Sequence, residues 1–241
     1  MADADRLAQR LQRLDTSTLS DALDSLGLSG VVTGLTAQGP PRRIAGRART
    51  VELGLDDGRQ QTRHLCTAAI EAASLGDVIV ISHRATHLAA GWGGLLSVAA
   101  HAAGVAGVVI DGVCRDVDDY HELDFPVYAR DSVPTSARGR VVEITCGTPV
   151  DIGAQRVEQG DWVIADRSGT VVIAAGTVEK VLDVAERLAA REALMAADIR
   201  ASMPVTEVLG KDYESMLSVA ALTQRHASEQ ARVSAIDPHT D

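Results

Sequence analysis

Two short strings in this chain hold residue types able to bind an anion and polarise it. The first is Gly91-Trp92-Gly93-Gly94-Leu95-Leu96. Glycines ahead of a helix leave backbone N–H groups free, and the helix dipole favours negative charge there, so a carboxylate or phosphate fits. It is not a GxGxxG dinucleotide fingerprint, because Leu96 stands in the third glycine's place. A loop that needs glycine only to turn tightly explains the same letters. The second string runs Asp111-Gly112-Val113-Cys114-Arg115-Asp116-Val117-Asp118-Asp119. Carboxylate oxygens suit Mg²⁺ or Mn²⁺, and Mg²⁺ often takes only one or two protein carboxylates with water completing its shell. Arg115 can grip a planar carboxylate with two parallel hydrogen bonds. A plain ion pair at a helix start remains the alternative for Arg115 and Asp116.

Other reactive side chains carry less. His83 and His87 are four apart, but they fall on an expected loop with no Glu between them, against a zincin-like site. Ser97 lies inside an expected helix and lacks a nucleophile-elbow sequence. Cys114 adjoins Arg115, which can lower a thiol pKa, yet a buried small hydrophobe is the stronger reading.

The surrounding periodicities predict the elements that position these strings. Gly76-Asp77 opens an apolar strand, Val78 to Ile81, followed by a loop from Ser82 to Trp92 and a helix from about Gly94 to Ala103. Gly104 ends that helix, and Val105 to Ile110 forms a second buried strand. Strand, crossover helix and strand make a parallel βαβ unit. Its strand ends are where α/β proteins place ligands, and both strings lie there.

Upstream, Leu7, Leu11 and Leu14 mark a short amphipathic helix; Thr16 or Ser17 caps another that ends at Gly27. Strands are expected near 30–33 and 47–53, and a helix over Thr62 to Ser74. Downstream come strands at Val127 to Ala129, Arg140 to Thr145, Val150 to Ile152, Trp162 to Ala165 and Thr170 to Ala174. Asp166-Arg167-Ser168-Gly169 reads as a hairpin turn. Helices are expected over Val178 to Ala201 and Asp212 to Val233, with a disordered tail from Ala235. We read residues 1–200 as one α/β domain and 201–241 as a helical C-terminal extension with its tail.

Composition excludes several classes. Aromatics are 2% of the 241 residues, too few for a base-stacking platform. A formal charge of −10, with Arg42-Arg43 as the one adjacent basic pair we see, argues against a nucleic-acid backbone. No apolar run is long enough to span a membrane. Three widely spaced cysteines suggest reduced thiols, and the acidic start Met1-Ala2-Asp3 has no apolar signal region. The expectation is a cytoplasmic protein without nucleic-acid or membrane partners.

Taken together, Gly93-Gly94-Leu95-Leu96, the run Gly104 to Gly112 and Arg115-Asp116-Val117 resemble the RraA-like family. The similarity extends to Leu19-Ser20-Asp21-Ala22-Leu23-Asp24, to Gly76 through Val80, and to Gly160 through Asp166 with Gly169. That family includes class II 4-hydroxy-4-methyl-2-oxoglutarate aldolases and the regulator of ribonuclease E activity. The resemblance implies an α/β/β sandwich assembled as a homotrimer or homohexamer with sites between subunits. It implies that the backbone of Gly93, Gly94, Leu95 and Leu96 holds a pyruvyl group, that Arg115 binds substrate, and that Asp116 helps to hold the divalent metal. The implied partner is a small 2-oxo acid, and the implied chemistry is retro-aldol release of pyruvate with oxaloacetate decarboxylation as a side activity.

Two departures stand out. The family's aldolases carry an acidic residue where this chain has Gly94, and they use a Glu from a neighbouring subunit's C-terminal region, for which Glu207 is the nearest match. A protein-binding regulator, or a lyase acting on another oxoacid, therefore stays open beside the aldolase. A methyltransferase is disfavoured, because no strand–GxGxG cofactor loop is present.

Overall fold

The computed structural model describes residues 2–85 and 87–210. The N-terminal part runs α1 (Ala2–Gln12), α2 (Thr16–Ser25), β1 (Val31–Val32), β2 (Thr36–Ala37), β3 (Ile44–Leu55) and α3 (Thr67–Glu71). The middle holds β4 (Val78–Ser82), α4 (Gly94–Ala102), β5 (Gly107–Cys114), α5 (Val117–Glu122) and β6 (Val127–Ser132). Then follow β7 (Val141–Cys146), β8 (Val150–Ile152), β9 (Gln155–Val157), β10 (Trp162–Asp166), β11 (Gly169–Ile173), α6 (Val178–Arg200) and α7 (Val205–Val208).

Strand β3 organises the sheet, because it is long enough to pair with three others. Its first residues run antiparallel to β10, its middle runs parallel to β4, and its far end runs antiparallel to β7. From β3 the order continues β4-β5-β6-β2 on one side and β10-β11-β1 on the other. The steps β3-β4, β4-β5 and β5-β6 are parallel, so β4-α4-β5 is the βαβ unit expected from sequence.

Apolar runs covered on both faces explain the layers. In β4, Ile79 and Ile81 pack with Ala69, Leu96 and Ala100 of α3 and α4. Val78 and Val80 face the other way, onto Val150, Val157, Val163 and Ala165. In β10, Trp162 and Ile164 alternate with Val163 and lie against α1, α2 and α6 through Leu11, Leu23 and Leu182. The outcome is helix, parallel sheet, antiparallel strands, helix: the α/β/β sandwich with α1, α2 and α6 as an outer helical layer. Asp166 pairs with Gly169 across the expected hairpin. Its carboxylate accepts from Thr16 N at 2.8 Å and Ser168 N at 2.9 Å, tying that hairpin to the start of α2.

Two local expectations change. The segment expected as a helix over 62–74 is helical only at Thr67–Glu71. Cys66 before it adopts φ 65°, and its amide donates to Glu143 Oε2 of β7 at 2.7 Å, which holds the preceding chain out of the helix. The second strand of the βαβ unit extends to Cys114, so Asp111 to Cys114 are strand residues rather than loop. A short helix, α5, follows at residues for which no element was set out, at the helix start that the ion-pair alternative for Arg115 and Asp116 named. The helix expected over Asp212 to Val233 and the tail beyond lie outside the described residues. Among the described residues no helix is long and apolar enough to cross a membrane.

Candidate active site

The parallel register brings the two strings together. Val78 pairs with Gly107 and Ser82 with Asp111, so the chain after β4 and the end of β5 leave the sheet at the same edge. The loop before α4 then runs beside the end of β5 like an added strand. Gly91 N donates to Val113 O at 2.9 Å, Arg115 N donates to Trp92 O at 3.0 Å, and Trp92 bridges Cys114 in parallel.

Glycine is required where this seam is tightest. A Cβ on Gly112 would sit 2.4 Å from His83 O, and one on Gly91 would sit 3.0 Å from the His83 ring. His83 is fully buried beneath both glycines, and its Nε2 lies 2.7 Å from Ala89 O. A carbonyl can only accept, so Nε2 carries the proton and Nδ1 is left without a partner. Burial lowers the His83 pKa from its ordinary 6.5, keeping the ring neutral under the loop.

The helix start is pinned from within. Trp92 Nε1 donates to Ser97 Oγ at 2.8 Å, and Ser97 Oγ donates to Gly93 O at 3.2 Å. Ser97 is buried and spent on that contact, which makes it a brace and not a nucleophile. Gly94 N, the first amide of α4, donates to Asp116 Oδ2 at 3.0 Å. The amides of Leu95 and Leu96 follow it at the helix start, where no earlier turn supplies acceptors.

Arg115 and Asp116 form the other wall. Arg115 Nε lies 3.3 Å from Asp116 Oδ2, and both side chains are little more than one-third exposed. Asp116 adopts φ 61° and ψ 46°, a left-handed conformation that Asp tolerates better than most residues and that is often held at functional sites. Its strain is held by neighbours on both sides: Tyr120 OH donates to Arg115 O, and Asp119 N donates to Asp116 O at 3.2 Å. Tyr120 is fully buried, and burial pushes its phenol pKa far up, so it stays protonated and keeps its donor. Cys114 is also fully buried, and burial pushes its thiol up to about 11. It is the packed hydrophobe expected from sequence, not a reactive thiolate.

A cavity of about 520 Å³ opens over this seam and includes every residue from Gly91 to Leu96 together with Arg115 and Asp116. Its remaining wall holds Arg59, Arg63, His64 and Arg138, which the sequence reading did not single out. They come from the stretch before α3 and the loop before β7, and no local motif marks them. Asp119, outside the cavity lining but beside Gly94, was not singled out either. A Cβ on Gly94 would lie 1.8 Å from Asp119 Oδ2, and one on Gly93 would lie 2.7 Å from Asp116 Oδ2. Two carboxylates therefore flank the Gly93–Gly94 step. The signal was present, since Asp116 and Asp119 are three apart at a helix start and share a face. Glu207 lies at α7, exposed, and is not part of the cavity wall. His87 is exposed on the loop that buries His83, so the two histidines do not act as a pair of ligands.

Among the described residues no group of three or more His, Cys, Asp or Glu side chains converges to hold a metal. Two carboxylates match what Mg²⁺ or Mn²⁺ asks of a protein when water supplies the rest, so the donor set fits such an ion and not zinc.

Fold and site together define an α/β protein in which a glycine-rich helix start meets an Arg–Asp pair at one sheet edge. The family model RraA-like, described as Aldolase/RraA, matches residues 16–172, and the chain belongs to that family. A relative from Halalkalibacterium halodurans named "Putative 4-hydroxy-4-methyl-2-oxoglutarate aldolase" is 29% identical over 186 residues, covering 77% of this chain and 84% of that protein. An uncharacterized protein from Pseudomonas syringae superposes with a TM-score of 0.77 at 29% identity, covering 86% of this chain and 98% of its own. Streptomyces coelicolor RraAS2, described as an unusual member of the RNase ES inhibitor RraA family, superposes with a TM-score of 0.70 at 25% identity, covering 78% of this chain and 94% of its own.

Proposed function

We propose that this protein is a divalent-metal-dependent lyase that cleaves a 4-hydroxy-2-oxo acid to release pyruvate. The observation that carries the reading is the meeting at Asp116 Oδ2 of the Gly94 amide, at 3.0 Å, and Arg115 Nε, at 3.3 Å. Relatives named as aldolases of this kind support it.

The amides of Leu95 and Leu96 and the positive end of α4 receive the carboxylate of the 2-oxo acid. Asp116 and Asp119 would hold Mg²⁺ or Mn²⁺, which supplies Lewis-acid polarisation of the 2-oxo group when bound. Arg115 directs its guanidinium at the same oxygen and stabilises the negative charge that grows there as the bond between C3 and C4 breaks. The electron pair of that bond becomes the C2–C3 double bond of pyruvate enolate. The 4-hydroxyl loses its proton through water and becomes a carbonyl, and protonation of the enolate at C3 yields pyruvate. Gly93 and Gly94 let the Asp116 and Asp119 carboxylates close on the helix start, since a side chain at either would press on them. The same enolate would form from oxaloacetate by loss of CO₂, so decarboxylation is part of the proposal.

The space at Gly94 accounts for the missing acid. Asp119 brings its carboxylate to where a side chain at Gly94 would begin, so a second acidic group stands by the site although residue 94 has none.

Pyruvate release from 4-hydroxy-4-methyl-2-oxoglutarate and from oxaloacetate, with Mg²⁺ or Mn²⁺ and after chelation, tests the reading. Arg115→Ala and Asp116→Ala should each lower kcat by roughly 10²–10³-fold, the scale of losing one oxyanion stabiliser. Turnover that survives chelation and both substitutions would sink it. A second reading, a protein-binding regulator, draws on the similarity to the Streptomyces coelicolor protein and is favoured if no oxoacid turns over.

A further inference from the structure

The cavity is larger than a pyruvyl group needs. Its volume of about 520 Å³ leaves room for a second part of the ligand at the end away from α4. The lining there is cationic in a protein whose formal charge is −10. Arg59, Arg63, Arg115 and Arg138 belong to the lining, against Asp56 and Asp116 as its acidic members.

These arginines are not equivalent. Arg59 is held by Asp57, with contacts of 2.6 and 2.8 Å. Arg63 donates to Glu143 Oε1 at 2.9 Å, and that carboxylate is itself buried. Arg115 is engaged by Asp116. Arg138 has no carboxylate partner among the described residues, yet its backbone is fixed. Arg140 NH1 donates to Arg138 O at 3.2 Å, and Arg140 N and Val141 N both donate to Ala137 O, at 2.8 and 2.9 Å. A braced loop thus places Arg138, with no carboxylate partner among the described residues, in the cavity wall.

We infer that Arg138 is a specificity-determining residue that binds a second carboxylate, carried by the substrate at the end remote from its 2-oxo acid group. This rests on the lyase reading for the orientation of the ligand, with the 2-oxo acid at α4 and Arg115. A guanidinium without a partner keeps all its donors and its full charge for the ligand, whereas the charges of Arg59 and Arg63 are already offset by Asp57 and Glu143. A substrate with an apolar tail would leave Arg138 unsatisfied, so the site distinguishes the two by charge.

The test is calorimetric binding to the full chain with Mg²⁺ present. The probes are 2-oxoglutarate and 2-oxopentanoate, which match in length and differ in a terminal carboxylate against a methyl group; neither has the hydroxyl needed for cleavage. The wild-type chain should bind 2-oxoglutarate about tenfold or more tightly, the scale of one hydrogen bond to a charged group. In Arg138→Gln that preference should shrink to about threefold or less, through weaker 2-oxoglutarate binding. Raising salt should also compress the wild-type preference, because Arg138 is exposed.

Equal affinity for both probes in the wild type, or an undiminished preference in Arg138→Gln, overturns the inference. So does a variant whose sedimentation mass changes while its preference stays, which would assign Arg138 to a contact between chains. Pyruvate release from 4-hydroxy-4-methyl-2-oxoglutarate is measured separately on the same protein preparations. Binding preference without pyruvate release leaves Arg138 in its role and removes the lyase reading; pyruvate release without preference does the reverse. Failure to bind either probe overturns both.

Discussion

At the scale of single residues, the site depends on what glycine omits. Gly94 is not in a left-handed conformation, so its role is spatial: it leaves the volume that the Asp119 carboxylate fills. Gly94→Asp should therefore force Asp119 to rotate away. We expect a loss of about 1 kcal/mol, at the low end of overpacking costs because a carboxylate can swing aside, and a Tm lower by ~2–4 °C. Removing the opposing side chain in Gly94→Asp/Asp119→Gly should restore the Tm while keeping the number of carboxylates. Thermal unfolding of the two variants decides the point, and a double variant no more stable than the single one would refute the steric account. Asp119 was readable in the sequence as one of four aspartates, but its partner was not. The pair is distant along the chain and adjacent only through the fold.

The loop before α4 is the element that turns a sheet edge into a cradle. It is stitched to β5 by backbone bonds, braced by Trp92 on Ser97, and underlaid by neutral His83. That last contact makes the element sensitive to pH. Above 6.5 the imidazole is neutral in both the folded and the unfolded chain, so it imposes no penalty. Below 6.5 the unfolded chain takes up a proton that the buried ring refuses, with His87 on the same loop adding repulsion. Stability is then lost until the lowered folded pKa is reached, at up to ~1.4 kcal/mol per pH unit. Denaturant midpoints measured from pH 7.5 downward should fall more steeply for the wild type than for His83→Gln, which cannot take up that proton. Parallel slopes would show that His83 does not govern the loop. Sequence periodicity placed the strand and the helix on either side of this loop, but it gave His83 no role.

On the scale of the whole molecule, the cradle sits in one layer and much of the apolar core in others. Leu182 of α6 is fully buried against α1, α2, β10 and β11. Those strands join the site through β3, which pairs with β10 at one end and with β4 further along, and through the packing of Val163 and Ala165 on Val78 and Val80. Leu182→Ala should cost ~2–5 kcal/mol, a Tm drop of roughly 5–15 °C. If the layers unfold as one cooperative unit, ligand binding at the site and far-UV signal should be lost at the same lowered midpoint. Two separate transitions would mean that the helical layer comes away alone.

What the amino-acid sequence determined by itself was the set of elements with strong patterns. Apolar runs at Val78 to Ile81 and Val105 to Ile110, with a helix between them, fix a parallel βαβ unit because both faces must be covered. The turn at Arg167-Ser168 follows from its residue types. Tertiary structure alone decided the site's full membership. Asp119 reaches Gly94, His83 lies under Gly91 and Gly112, and Arg138 joins the wall shared with Arg115. The physical reason is range. Propensity and periodicity act over a few neighbouring residues, whereas these contacts follow from strand register and layer packing across long separations in the chain.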